Sequence, residues 1–291
     1  MKKVIARIKG GLGNQLFCYA AARRLAFVNG AELFLDDKSG FVRDFQYKRN
    51  FQLQHFGVSS RIVTDAEQLG RYPRYLKKKL NRILPFKFRS YIEQEGIDFD
   101  SRLLNVQIKN TVYLDGLWQS EGYFADIKEV IRKDLTIIPP ADPANLEIAG
   151  KIKNSNSVAL HIRWFDLPGQ VGSHNVYADY YARAIAMMKE KFQNLHFYIF
   201  SDNPESVMAK LALSANEYTL ITHNKGDENA YADLWLMTLC KHIITANSTF
   251  SWWAAWLNNN PEKIIITPSI KLTGKTAWNF EGLIPDSWIK I

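Results

Sequence analysis

The residues best suited to chemistry fall in three places. The first is His161-Ile162-Arg163-Trp164-Phe165-Asp166, at the end of an apolar run, Val158-Ala159-Leu160. On a strand, His161 and Arg163 share a side because Ile162 separates them. An Arg at a strand end can grip phosphate through two parallel hydrogen bonds. The competing reading is a structural ion pair between Arg163 and Asp166. The second place is Asn247-Ser248-Thr249-Phe250-Ser251, where an amide and three hydroxyls precede Trp252-Trp253-Ala254-Ala255-Trp256-Leu257. Hydroxyls with N–H groups at a helix start make an anion site; an ordinary capped helix with the Trp residues as core fits the same letters. The third place is Gly10-Gly11-Leu12-Gly13-Asn14-Gln15, after the strand-like residues 4–8. Its glycines allow close backbone approach to an anion. They equally suit a tight turn with Asn14 as the helix cap. A full dinucleotide fingerprint needs Gly where Leu16 stands, although Asp36 and Asp37 offer the acidic residue that such a site wants.

Other candidates are weaker. Ser201-Asp202-Asn203 follows a strand, and Asp202 reads as a ligand contact or as a cap before Pro204. Asp98-Phe99-Asp100 is a D-x-D pattern away from any clear strand end, and reads as a loop. Six scattered His residues give no zinc spacing. No G-x-S-x-G, P-loop or C-x-x-C is present.

These sites need strand ends and helix starts to hold them. Residues 4–8, the glycine loop, 16–26 and 32–35 read as a βαβ unit. Further on, 64–84 reads as containing a helix, 111–114 as strand and 121–133 as helix. Three prolines in five residues, Pro139, Pro140 and Pro143, mark a domain crossing. Beyond it, strands at 157–163, 196–200, 218–222, 243–246 and 263–267 alternate with helices at 177–192, 204–213, 230–240 and 249–257. That alternation predicts a parallel sheet covered on both faces. The expected organisation is α/β, with domains 1–140 and 141–291 facing a cleft.

The 291 residues include 37 Lys plus Arg against 29 Asp plus Glu, a net charge of +8. The surplus sits between Arg71 and Arg89, where eight cations meet no acid. Leu76, Leu80, Ile83 and Leu84 there have helical spacing. A solvated helix face, an anionic membrane contact and nucleic acid are the readings; no nucleic-acid motif accompanies the patch. Two cysteines, Cys18 and Cys240, point to a reducing compartment, and the N-terminus does not read as a signal peptide.

With these residues in place, the chain resembles the α-1,2-fucosyltransferases of glycosyltransferase family 11. The likeness rests on residues 10–17, on Asp115-Gly116-Leu117-Trp118-Gln119-Ser120-Glu121-Gly122-Tyr123-Phe124, on His161, Arg163 and Asp166, on Phe200-Ser201-Asp202 and on residues 247–257. Two positions depart from the family pattern: Trp164 replaces a second Arg, and Ala254 replaces a Gly. The resemblance implies a GT-B-like fold of two Rossmann-like domains, a GDP-β-L-fucose donor, a terminal β-galactoside acceptor, inversion and no metal. It implies donor contacts from Gly11, Gly13, Asn14, Gln15, His161, Arg163, Ser201, Asp202, Asp233, Asn247, Ser248, Thr249, Phe250 and Ser251. Arg163 would stabilise the leaving diphosphate, and Asp166 or His174 would serve as base. A nucleotide- or polyanion-binding protein and a nicotinamide-dependent oxidoreductase are the alternatives. The expected setting is cytoplasmic, with the basic helix, Lys77, Lys78 and Lys79 included, touching the inner membrane face.

Overall fold

The structure is a computed structural model that describes residues 1–163, 176–203, 211, 213–274 and 277–291. The chain divides into two units. One comprises Met1–Ile138 with Glu281–Leu283, the other Pro139–Phe280 with Ile284–Ile291.

Unit 1 contains β1 (Lys3–Arg7), α1 (Leu12–Asn29), β2 (Glu32–Asp36), β3 (Arg61–Ile62), α2 (Arg71–Arg82), β4 (Tyr91–Glu93), β5 (Thr111–Asp115) and α3 (Lys128–Asp134). Its sheet runs β3-β2-β1-β5-β4, parallel throughout. Val4, Ile5 and Ala6 are all buried, so β1 carries no alternation of polar and apolar residues; such a strand must have both faces covered. Helix α1 is Ala-rich and buried almost all round. It ends in a Schellman motif: Gly30 takes the left-handed conformation (φ 57°), Ala31 N–H donates to Ala26 O (2.9 Å) and Gly30 N–H donates to Phe27 O. The helix expected at 121–133 is shorter here. Tight single turns at Glu121–Tyr123 and Ala125–Ile127 precede α3.

Unit 2 contains α4 (Pro143–Lys153), β6 (Asn156–Ile162), α5 (Ala178–Lys191), β7 (Leu195–Ser201), β8 (Tyr218–Ile221), α6 (Ala230–Leu239), β9 (His242–Ile244), α7 (Thr249–Leu257), β10 (Ile265–Thr267) and β11 (Ile289–Lys290). Its sheet runs β11-β10-β9-β6-β7-β8, again parallel. The core joins Val158, Leu160 and Ile162 to Tyr180, Met188, Phe197, Ile199, Ile244 and Ile266. Trp252, Trp253 and Trp256 are buried and pack against one another, with Trp288 against Trp252. The core reading of those Trp residues is therefore the right one. The helix expected at 204–213 lies almost wholly outside the described residues.

Candidate functional site

Open parallel sheets bind ligands beyond the carboxyl ends of their strands, where the strand order reverses. In unit 2 that point lies at β6, which pairs with β7 on one side and β9 on the other. The expected residues converge there. His161 is in register with Phe200, and Ile162 with Ser201. The Arg163 guanidinium Nη1 lies 2.8 Å from Asp202 Oδ2. The imidazole of His161 and the ring of Phe250 are 5.5 Å apart between centroids. One corner therefore joins β6, β7 and the start of α7.

Local hydrogen bonds shape that helix start. Ser248 is the N-cap, its Oγ accepting from Phe250 N–H (3.3 Å). Ser251 Oγ accepts from Ala246 N–H (3.2 Å) and donates to Ser248 O (3.3 Å). Two of the three hydroxyls thus brace the loop, and the capping role holds for Ser248. Asn247 is buried beside them. The first turn of α7 has no acidic side chain, so nothing there offsets the positive end of the helix dipole.

His161 is nearly fully buried, and burial together with the neighbouring Arg163 pushes its pKa down to about 3. It is neutral at physiological pH and can give or take a hydrogen bond without carrying charge. Its Nδ1 is buried with no protein partner among the described residues. Charge at the corner comes from Arg163. Among the described residues, Arg163 forms an ion pair with Asp202, the first residue after β7. The partner weighed from sequence, Asp166, lies outside the described residues, as do Trp164 and His174.

Asp233 lies in the first turn of α6. Asn224 Nδ2 donates to its Oδ1 (2.8 Å), and Asn224 exchanges hydrogen bonds with Asn145 of α4. His223 Nε2 lies 3.0 Å from Asn145 Oδ1. Burial raises the Asp233 pKa to about 7, against the lowering effect of the Asn224 hydrogen bond. The folded chain therefore holds this proton more tightly than the unfolded chain. The stability it contributes is full below the unfolded value, 3.8, and drains away as pH rises through about 7. His161 has the opposite slope, losing stability as pH falls from 6.5 toward about 3. Above pH 6.5 only the Asp233 slope remains of the two. There Asp233→Asn is expected to flatten the fall in melting temperature toward about pH 8. A variant that tracks the parent's curve would contradict the assignment.

Unit 1 has its own reversal point, between β1 and β5. The chain leaves β1 through Gly10, at φ 77°, a conformation that side-chain-bearing residues rarely adopt. Gly11, not Asn14, is the N-cap, because α1 begins at Leu12. Asn14 lies in the first turn and accepts through Oδ1 from Gln119 Nε2 (2.7 Å), which ties the glycine loop to the segment after β5. Gln15 is internal: its Nε2 donates to Gly10 O and Asn50 O, and its Oε1 accepts from Gln52 N–H. Gly13 is buried within α1.

Three features here were given no role from the sequence, although Asp115, Leu117 and Trp118 lie in a block that carries the family resemblance. Asp115, at the end of β5, accepts from Lys9 Nζ (2.7 Å), Arg7 Nη1 (3.2 Å) and Tyr91 OH (2.6 Å). Burial alone would raise its pKa, but Lys9 and Arg7 hold the carboxyl well below the usual range. The Arg49 guanidinium packs so close to Gly11 that a Cβ there would lie 2.7 Å from Nη1. Gln94 Oε1 accepts from both Leu117 and Trp118 N–H.

The D-x-D residues are engaged locally. Asp98 Oδ1 accepts from Glu281 N–H, and Asp100 caps the next turn while pairing with Arg102. No group of three or more metal-ligating side chains occurs among the described residues.

Two parallel α/β units, each with polar groups gathered at the carboxyl ends of its strands, define a GT-B-type, Rossmann-like architecture. The fold is similar to that of an Arabidopsis thaliana FUT1 variant solved in complex with GDP, with a TM-score of 0.52, 13% identity, 95% of this chain covered and 71% of that one. The pattern of glycosyl transferase family 11 matches residues 89–276, and the chain belongs to that family. Two Escherichia coli relatives are similar along nearly their full lengths. An alpha-1,2-colitosyltransferase is 29% identical, covering 100% of this chain and 99% of the relative. The O-antigen biosynthesis glycosyltransferase WbnK is 30% identical, covering 98% and 99%.

Proposed function

We propose that this chain moves L-fucose from GDP-β-L-fucose to the 2-hydroxyl of a terminal β-galactoside, with inversion, during assembly of an O-antigen-type glycan. The supporting observation is the corner of unit 2, where Arg163, neutral His161 and the start of α7 meet. Fucose leaves as an oxocarbenium-like species while negative charge grows on the diphosphate. Arg163 and the positive end of α7, at Ser248 and Thr249, stabilise that charge. The ion pair with Asp202 aims the guanidinium before the nucleotide arrives. His161, unable to carry charge, hydrogen-bonds the ribose; Asp233 and its asparagine network take the guanine side. A base must accept the acceptor proton, and Asp166 and His174 are assigned as its candidates.

A second donor sugar fits the same corner. A relative at 29% identity is named an alpha-1,2-colitosyltransferase, and colitose is fucose without its 3-hydroxyl. Colitose would need the same diphosphate contacts and one fewer sugar contact. The deciding measurement is GDP release from GDP-fucose and from GDP-colitose, each with a panel of galactosides. Release that depends on galactoside, is faster with GDP-fucose and survives EDTA is expected. Release only from GDP-colitose would reassign the sugar, EDTA inhibition would overturn the metal-free reading, and stabilisation by GDP without transfer would leave a binding protein.

A further inference from the structure

The most basic stretch of the sequence folds with its charges turned the unexpected way. Helix α2 presents a polar face to unit 1. Asn81 is buried, and its Oδ1 accepts from the N–H groups of Ser90 (2.6 Å) and Tyr91 (3.1 Å). Lys77 Nζ lies 5.0 Å from the centre of the Tyr113 ring. Lys78 pairs with Glu93, and Arg74 Nη1 donates to Ser39 Oγ (3.1 Å). These residues recur at helical spacing on the inner side.

The outer side is apolar. Tyr72 (71% exposed), Leu76, Leu80 (63%) and Ile83 (81%) follow one another at intervals of four, four and three residues. Tyr75 flanks them, and Leu84 and Phe88 extend the patch past the helix end; all are exposed. Lys79 and Lys87 stand exposed among them. No Asp or Glu occurs between Glu67 and Glu93.

We propose that this face docks on an anionic lipid bilayer, with the outer apolar residues of residues 72–88 entering the headgroup boundary and Lys79 and Lys87 meeting lipid phosphates. An apolar stripe rimmed by cations is what an interfacial helix requires. Charge complementarity selects this occupant over a second copy, because two such faces would set cation against cation. Among the described residues no helix is long and apolar enough to cross a membrane, so the contact is at the surface. Lys77 and Lys78, included in the contact on sequence grounds, belong to the protein side instead. The inference is independent of which sugar is transferred.

The test is sedimentation of the full chain with phosphatidylglycerol–phosphatidylcholine vesicles and, separately, with phosphatidylcholine vesicles alone. The parent is expected to pellet with the anionic vesicles and to be released by salt. Leu80→Glu with Ile83→Glu should lower partitioning by about a hundredfold, with circular dichroism and melting temperature unchanged. Lys79→Gln with Lys87→Gln should lower it by about tenfold, and Lys77→Gln with Lys78→Gln by distinctly less. A parent that stays in the supernatant would overturn the proposal. So would a Leu80/Ile83 variant that pellets like the parent, or a lipid-free dimer that those substitutions dissolve.

Discussion

Arg163→Ala is expected to lower kcat by about 10²–10³, the usual consequence of losing one preorganised group that stabilises transition-state charge. In the proposed reaction the effect should fall on kcat more than on KM, because negative charge on the diphosphate grows only as the glycosidic bond breaks. Asp202 would lose this ion pair, yet both side chains are about a quarter exposed, so water can reach the carboxylate. The melting temperature should therefore change little. Arg163→Lys keeps the charge but loses the planar fork, and should recover only part of the rate. Steady-state GDP release measures all of this. Near-normal turnover by Arg163→Ala would remove the residue from the mechanism and shift the work to the start of α7.

The second large effect is structural. Asp115→Ala should destabilise the fold by about 3 kcal/mol, the low end of the range for breaking a buried ion pair. The low end applies because Arg7 and Lys9 keep some exposure, 18% and 27% of their side chains, and can partly recover water. Tyr91 OH would lose its acceptor as well. Asp115→Asn leaves an oxygen for Tyr91 but no charge for the two cations, so its loss should be intermediate. Urea unfolding monitored by fluorescence would rank the three proteins. A variant as stable as the parent would mean that the cluster does not hold β1 and β5 together. The same loss should loosen the glycine loop, since Lys9 immediately precedes Gly10.

What was legible in advance followed from local pattern. Continuous apolar runs such as residues 158–160, alternating with helical segments, reported a covered parallel sheet, and the polar residues just beyond those runs lie at the carboxyl ends of its strands. What was not legible depended on distance along the chain. Arg163 meets Asp202, 39 residues away, and Lys9 meets Asp115, 106 residues away; no spacing rule predicts either pairing. The strands β3 and β11 are two residues long and β4 is three, too short to show periodicity. The orientation of α2 was hidden for another reason. Its pattern reveals two faces but not which one turns inward, and burial of Asn81 against β4 decided the matter.

Residues 281–283 group with unit 1, while the segments on either side of them group with unit 2. Glu281 contributes its backbone to Asp98 and Phe99, and six residues after Leu283 the chain supplies β11 to the sheet of unit 2. The polypeptide therefore passes between its halves three times rather than once. For recombination this makes the two halves inseparable at a single joint. A chimaera spliced only near residue 138 would bring a foreign strap to the native first half, and a chain cut at residue 280 would lose both the strap and the edge strand. Exchange of whole halves between relatives requires that residues 281–283 travel with the first half and residues 284–291 with the second.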